Sequence, residues 1–138
     1  MDYNFIPVQI QVSNTALMQK YAVSWTPTIL VLDADGQEHF RSVGFLALEE
    51  FIATFQVGKG RYFLDTEQYP EAQAMFEEVI SQRPEADAVP EAIFFLGVTR
   101  YKHTHDPKPL REAYDTLTAR YPQSEWAKRA EPYKLIPA

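Results

Sequence analysis

Ser24 to Asp33 reads SWTPTILVLD. A proline between two threonines (Thr26, Pro27, Thr28) runs straight into the apolar residues Ile29 to Leu32, and an acid ends the run. Proline fixes φ and removes a backbone donor, which suits the entry to a strand. A short apolar run closed by turn residues suits a buried strand. Asp33-Ala34-Asp35-Gly36 supplies the turn, with Gly36 at the position that needs positive φ. Glu38 to Val43 then returns and Gly44 ends it, so the spacing predicts a hairpin with strands over about 28–33 and 38–43.

Working outward, Phe5 to Val12 alternates Ile6, Val8, Ile10 and Val12 with Pro7, Gln9 and Gln11. That period predicts a further strand over about 5–12 with one apolar face, and Pro7 places that end at an edge. Asn14 is a candidate N-cap for a short helix reaching about Tyr21. Beyond the hairpin, Leu46 to Val57 predicts an amphipathic helix with Leu48, Phe51, Ile52 and Phe55 on its buried face. His39, alternating with Phe40, is expected to be an exposed strand residue.

This order resembles the C-terminal half of a thioredoxin fold. Tyr21-Ala22-Val23, Thr26-Pro27-Thr28, Asp33 to Gly36 and Arg41-Ser42-Val43-Gly44 carry the resemblance, which spans about residues 5–57. It implies a cis-proline-like loop at Thr26, Pro27 and Thr28. It also implies a strand and helix bearing a Cys-x-x-Cys pair, and the chain contains neither. In that fold the missing strand lies between the segments corresponding to 5–12 and 28–33. Its loss leaves two rows of unpaired backbone groups, which are costly to bury and attractive to other chains. The expected remedy is direct closure of the two strands or a homodimer through the unpaired sheet edges. With no thiol beside it, Pro27 is expected to serve the backbone alone.

Composition narrows the function classes. The chain has 138 residues, enough for one ordinary domain or two very small ones. A net charge of −6 disfavours nucleic acid and anionic membrane surfaces, both of which are bound through Lys and Arg. The absence of cysteine removes disulfides, thiolate nucleophiles and cysteine-held metals. No apolar run approaches the roughly 18 residues of a membrane span, so no membrane insertion is expected. No basic start leads into an apolar stretch, so a cytoplasmic location is expected for the chain as it stands. A periplasmic one is expected if further sequence precedes Met1.

After Gly58 the signal is repetition. Ala72, Phe76, Val79 and Pro84 are spaced 4, 3 and 5 apart, and Leu110, Tyr114, Leu117 and Pro122 keep the same steps. The first two steps put three apolar groups on one helix face, and the proline stops the helix. Ahead of each set stands a glycine, Gly60 or Gly97, which lets a neighbouring helix come close. A period of about 34–40 residues built this way marks a helical array. The segment resembles two tetratricopeptide repeats through Gly60, Phe63, Tyr69, Ala72, Phe76 and Pro84, then Leu96-Gly97, Tyr114 and Pro122. It departs from them where Leu110 replaces a small residue and Lys59 an apolar one. Tyr121 to Ala127 resembles repeat junctions of bacterial members. Pro70, Pro90 and Pro109 open the helices, Ser124 caps a last one, and the tail after Pro132 is expected to fray or pack as a short cap.

The fold class is therefore α+β: a partial thioredoxin-like segment over 1–57, then tetratricopeptide-like repeats over 58–138 sharing a core with it. His103, His105 and Asp106 lie in a proline-flanked turn rather than on rigid elements, so no metal and no cofactor is expected. Glu49-Glu50, Glu77-Glu78 and Glu85/Asp87 suit solvated helix faces better than an acid–base pair. Phe94 and Phe95 are adjacent on one helix and cannot both enter the same core, so one is a candidate for a second interface. Arg61, Arg100, Lys102 and Arg111 are candidates for a basic rim around an acidic peptide end. The expected function is non-catalytic protein or peptide binding. The alternative is part of a thiol–disulfide oxidoreductase whose cysteine-bearing half lies outside this chain.

Overall fold

The computed structural model describes residues 6, 8–11, 13–24, 28–43 and 48–138. Trp25, Thr26 and Pro27 lie outside them, so the expected proline loop is represented only by Thr28. Helix α1 (Thr15–Lys20) starts as expected, with the Asn14 side chain accepting from the Leu17 N–H at 3.2 Å. Strands β1 (Thr28–Leu32) and β2 (Glu38–Val43) form an antiparallel hairpin, with Gly36 at φ 83° in its turn. Arg41 of β2 reaches back to the Tyr21 and Ala22 carbonyls and ties α1 to the hairpin.

The strand expected over 5–12 does not form among the described residues: Ile6 and Val8–Gln11 belong to no strand, and Ile6 is 84% exposed. An alternating pattern supplies a face but no ladder partner, and among the described residues the sheet consists of β1 and β2. The expected direct closure of that segment on β1 is likewise not made there.

Five helices follow: α2 (Leu48–Asp65), α3 (Tyr69–Gln82), α4 (Val89–Thr104), α5 (Lys108–Arg120) and the short α6 (Glu125–Arg129). A 3-10 turn over Glu131–Leu135 closes the described chain and packs on α5. Pro70, Pro90 and Pro109 sit in the first turns of α3, α4 and α5, where a missing N–H is harmless. Ser124 caps α6 by accepting from the Ala127 N–H at 3.1 Å. Each long helix packs on the next in chain order, and α2 and α6 also touch α4.

The helix expected to stop at Val57 continues to Asp65 through Gly58 and Gly60. Each glycine costs about 1 kcal/mol of helix propensity relative to alanine, and tertiary contact offsets it. A Cβ at Gly58 would lie 3.0 Å from both Phe40 and Val31, and one at Gly60 would lie 2.6 Å from the Phe76 ring. At Gly97 it would meet the Ala113 Cβ at 2.8 Å and the Pro109 carbonyl at 3.0 Å. The close approach expected of Gly60 and Gly97 is therefore present. The buried face of α2 is Ala53, Val57, Phe63 and Leu64, whereas Leu48 and Phe51 of the expected face are exposed. Among the buried positions of α2, Gly58 and Gly60 are the points where the hairpin and α3 come closest to this helix.

One buried cluster runs from Val31 and Phe40 through Val57, Phe76, Val79, Ala92 and Leu117 to Ala130. Lys59, which departs from the repeat pattern, is buried in α2.

Candidate functional site: the surface of the helical array

Phe94 and Phe95 leave α4 in different directions, and each finds partners inside the chain. Phe94 lies 5.3 Å from the Trp126 ring and 6.0 Å from Tyr133, centroid to centroid. Phe95 lies 6.1 Å from Phe76 and 5.3 Å from Trp126. Both are half-buried, and the seam they make holds α3, α4, α6 and the closing turn together. Such offset and edge contacts contribute about 0.5–1.5 kcal/mol each beyond area burial.

Three of the four cations considered for a rim go to separate partners. Arg61 of α2 pairs with Glu91 of α4 at 3.1 Å, and its guanidinium lies over Phe95 at 4.7 Å and Phe40 at 6.0 Å. Arg100 meets Glu77 of α3 at 3.0 Å. Arg111 pairs with Asp115 at 3.0 Å and donates to the Lys134 and Ile136 carbonyls at 3.1 and 2.7 Å, clamping the C-terminal segment. Lys102 is exposed near the C-terminal end of α4, next to Tyr101, which is also exposed. Arg61 and Arg111 thus serve the fold, while Arg100, Tyr101 and Lys102 share the solvent-facing end of α4.

The acidic pairs are spread likewise. Glu49 meets Arg83 at 3.2 Å, and Glu50 accepts from the Asp87 N–H. Burial pushes the Glu91 carboxyl above its ordinary value against the opposing charge and hydrogen bond of Arg61. Among the described residues no group of three or more His, Asp or Glu side chains is placed to hold a metal. The His103 to Asp106 segment forms the end of α4 and the turn beyond it, with His105 at φ 61°.

His39 departs most from its expected place: it is 9% exposed. Val31 pairs with Phe40 while Leu32 pairs with Glu38, so His39 is the extra residue of a β-bulge. A bulge re-aims side chains and breaks the strict alternation of faces. Here it points the ring between two carboxylates. Nδ1 is 2.7 Å from Asp65 Oδ2 on α2, and Nε2 is 3.0 Å from Asp33 Oδ2 at the end of β1. The Tyr62 ring stands edge-on at 5.3 Å. Burial pulls the imidazole pKa down, but the hydrogen bonds and charges of Asp65 and Asp33 outweigh it and leave it above the ordinary histidine value. The His39 hydrogen bond and the Gln37 N–H hold the Asp33 carboxyl below its ordinary range.

Residues 2–59 match a family model described as a thioredoxin-like domain, which supports a domain of that kind in the N-terminal part of the chain. No curated protein and no solved structure matches the chain. Among the described residues no helix is long and apolar enough to cross a membrane.

Proposed function

We propose that this chain is a non-catalytic protein–protein interaction module, a thioredoxin-like segment seated on tetratricopeptide-like repeats. The observation that carries it is a thioredoxin-like domain without a single cysteine: thiol exchange needs a thiolate, and what remains is surface. The close contact of Gly60 with Phe76 supports the repeat assignment, since it links two landmark positions of the first repeat; at Gly97 the close neighbours are Ala113 and Pro109. The exposed end of α4, with Arg100, Tyr101 and Lys102, is the favoured contact for a protein or peptide partner, and an acidic one fits its charge. A homodimer through the sheet edges is a further form proposed for the same module.

The test is capture of a partner on the immobilised chain from extracts of its own cells, alongside an insulin-reduction assay. A defined partner retained through washing and no disulfide reduction are expected. Turnover of insulin by the pure chain would overturn the proposal.

A second reading is favoured by the match of residues 2–59: the chain as part of a thiol–disulfide oxidoreductase. An in-frame Cys-x-x-Cys followed by a helix, upstream of Met1 in the gene, would select it.

A further inference from the structure

A carboxylate accepts hydrogen bonds and donates none, so an imidazole satisfying two of them must carry a proton on each nitrogen. The bulge in β2 puts His39 in that position, with Asp33 on the hairpin turn and Asp65 on the last turn of α2. Its two partners lie on the hairpin turn and on α2, so the ring is an ionic link between those two elements. We propose that His39 is a pH-sensitive clasp, fastening the hairpin to the C-terminal end of α2 when doubly protonated and releasing it when one proton leaves.

The surroundings set the sign. From α2 the ring faces Asp65 and the Tyr62 edge, and Arg61 lies beyond, over the Phe40 ring. From the hairpin turn it faces Asp33. On β2 itself, Glu38 and Arg41 neutralise each other at 2.8 Å. The clasp thus holds two negative charges and one positive. Loss of the proton leaves one carboxylate against a bare nitrogen lone pair and two acids with no cation between them. Asp65 is half-exposed, so the proton has a short route to water through the Nδ1 side.

A group whose folded pKa is raised adds stability that is complete below its unfolded pKa and is lost as pH rises through the folded value. Hairpin docking is therefore tight in mild acid and looser in mild base. The test is carried out on the full chain by following the His39 ring protons by NMR and the β1, β2 and α3–α5 amides by hydrogen exchange, from about pH 6 to about pH 9. His39 is expected to titrate above the ordinary value of about 6.5. Protection of the hairpin amides, corrected for intrinsic rates, is expected to fall about tenfold for each unit by which docking raises that pKa. Protection in α3–α5 stays constant. Asp65→Asn and Asp33→Asn each lower the His39 pKa, and His39→Gln removes the pH dependence of the hairpin. Titration at or below the ordinary value, hairpin protection flat with pH, or a loss shared equally by α3–α5 would overturn the proposal. The ring titration in the unsubstituted chain decides the matter even if a variant does not fold.

Discussion

Where α2 meets α3, Gly60 lies under the fully buried Phe76 ring, and where α4 meets α5, Gly97 lies against Ala113 and the Pro109 carbonyl. Where α2 meets the hairpin, Gly58 again admits neighbours closely, here Phe40 and Val31, but an imidazole between two acids sits beside them. The same device, a glycine in a helix, serves a dry contact in the array and a part-ionic one at the hairpin. Dry contacts respond to volume and little to pH, because apolar packing carries no titrating group. The hairpin contact adds a dependence on the proton. One chain therefore holds a fixed body and an appendage whose grip is conditional.

Substitutions at the two contacts separate these regimes. Phe76→Ala has the largest expected effect: it removes a fully buried ring and leaves Gly60 facing a cavity, a loss of about 3–5 kcal/mol in urea denaturation. A loss below about 1 kcal/mol would place the array's core elsewhere. Gly97→Ala is smaller. Overpacking against a carbonyl costs about 1–3 kcal/mol and helix propensity returns about 1, for a net loss of about 1 kcal/mol. A gain in stability would mean that α5 yields freely. Smallest is the effect of pH, read at the hairpin. The Asp33 contribution is present above its unfolded pKa and disappears as pH falls through its lowered folded value. The His39 contribution disappears as pH rises through its raised one. A shallow maximum between the two limbs is expected in the protection of the hairpin amides, and His39→Gln should flatten its alkaline side.

The array was the more legible region, because spacing within a helix fixes which side chains share a face. Ala72, Phe76 and Val79 are all fully buried, as their 4 and 3 steps require. The turn at Gly36 and the caps at Asn14 and Ser124 were equally open to reading, since each rests on local chemistry. What escaped depends on partners far along the chain. The continuation of α2 through two glycines follows from contacts with Phe40 and Phe76, which helix propensity does not contain. His39 escaped because a bulge breaks the alternation that assigns faces, and its acids come from 6 residues before and 26 after it. The acid partners of Arg61, Arg100 and Arg111 were not legible, because each is set by helix packing or by the next helical turn.

The most direct measurement is the affinity of the captured partner for the chain carrying Arg100→Glu and Lys102→Glu together. Lys102 faces solvent, whereas Arg100→Glu also sets a second carboxylate against Glu77. Circular dichroism should therefore be unchanged and stability should fall by about 1 kcal/mol at most, with Lys102→Glu alone as the control that leaves the Glu77 pair intact. If the chain acts by offering the end of α4, binding weakens by about tenfold or more in the reversed-charge variant. Equal affinity of the two forms for that partner would contradict it.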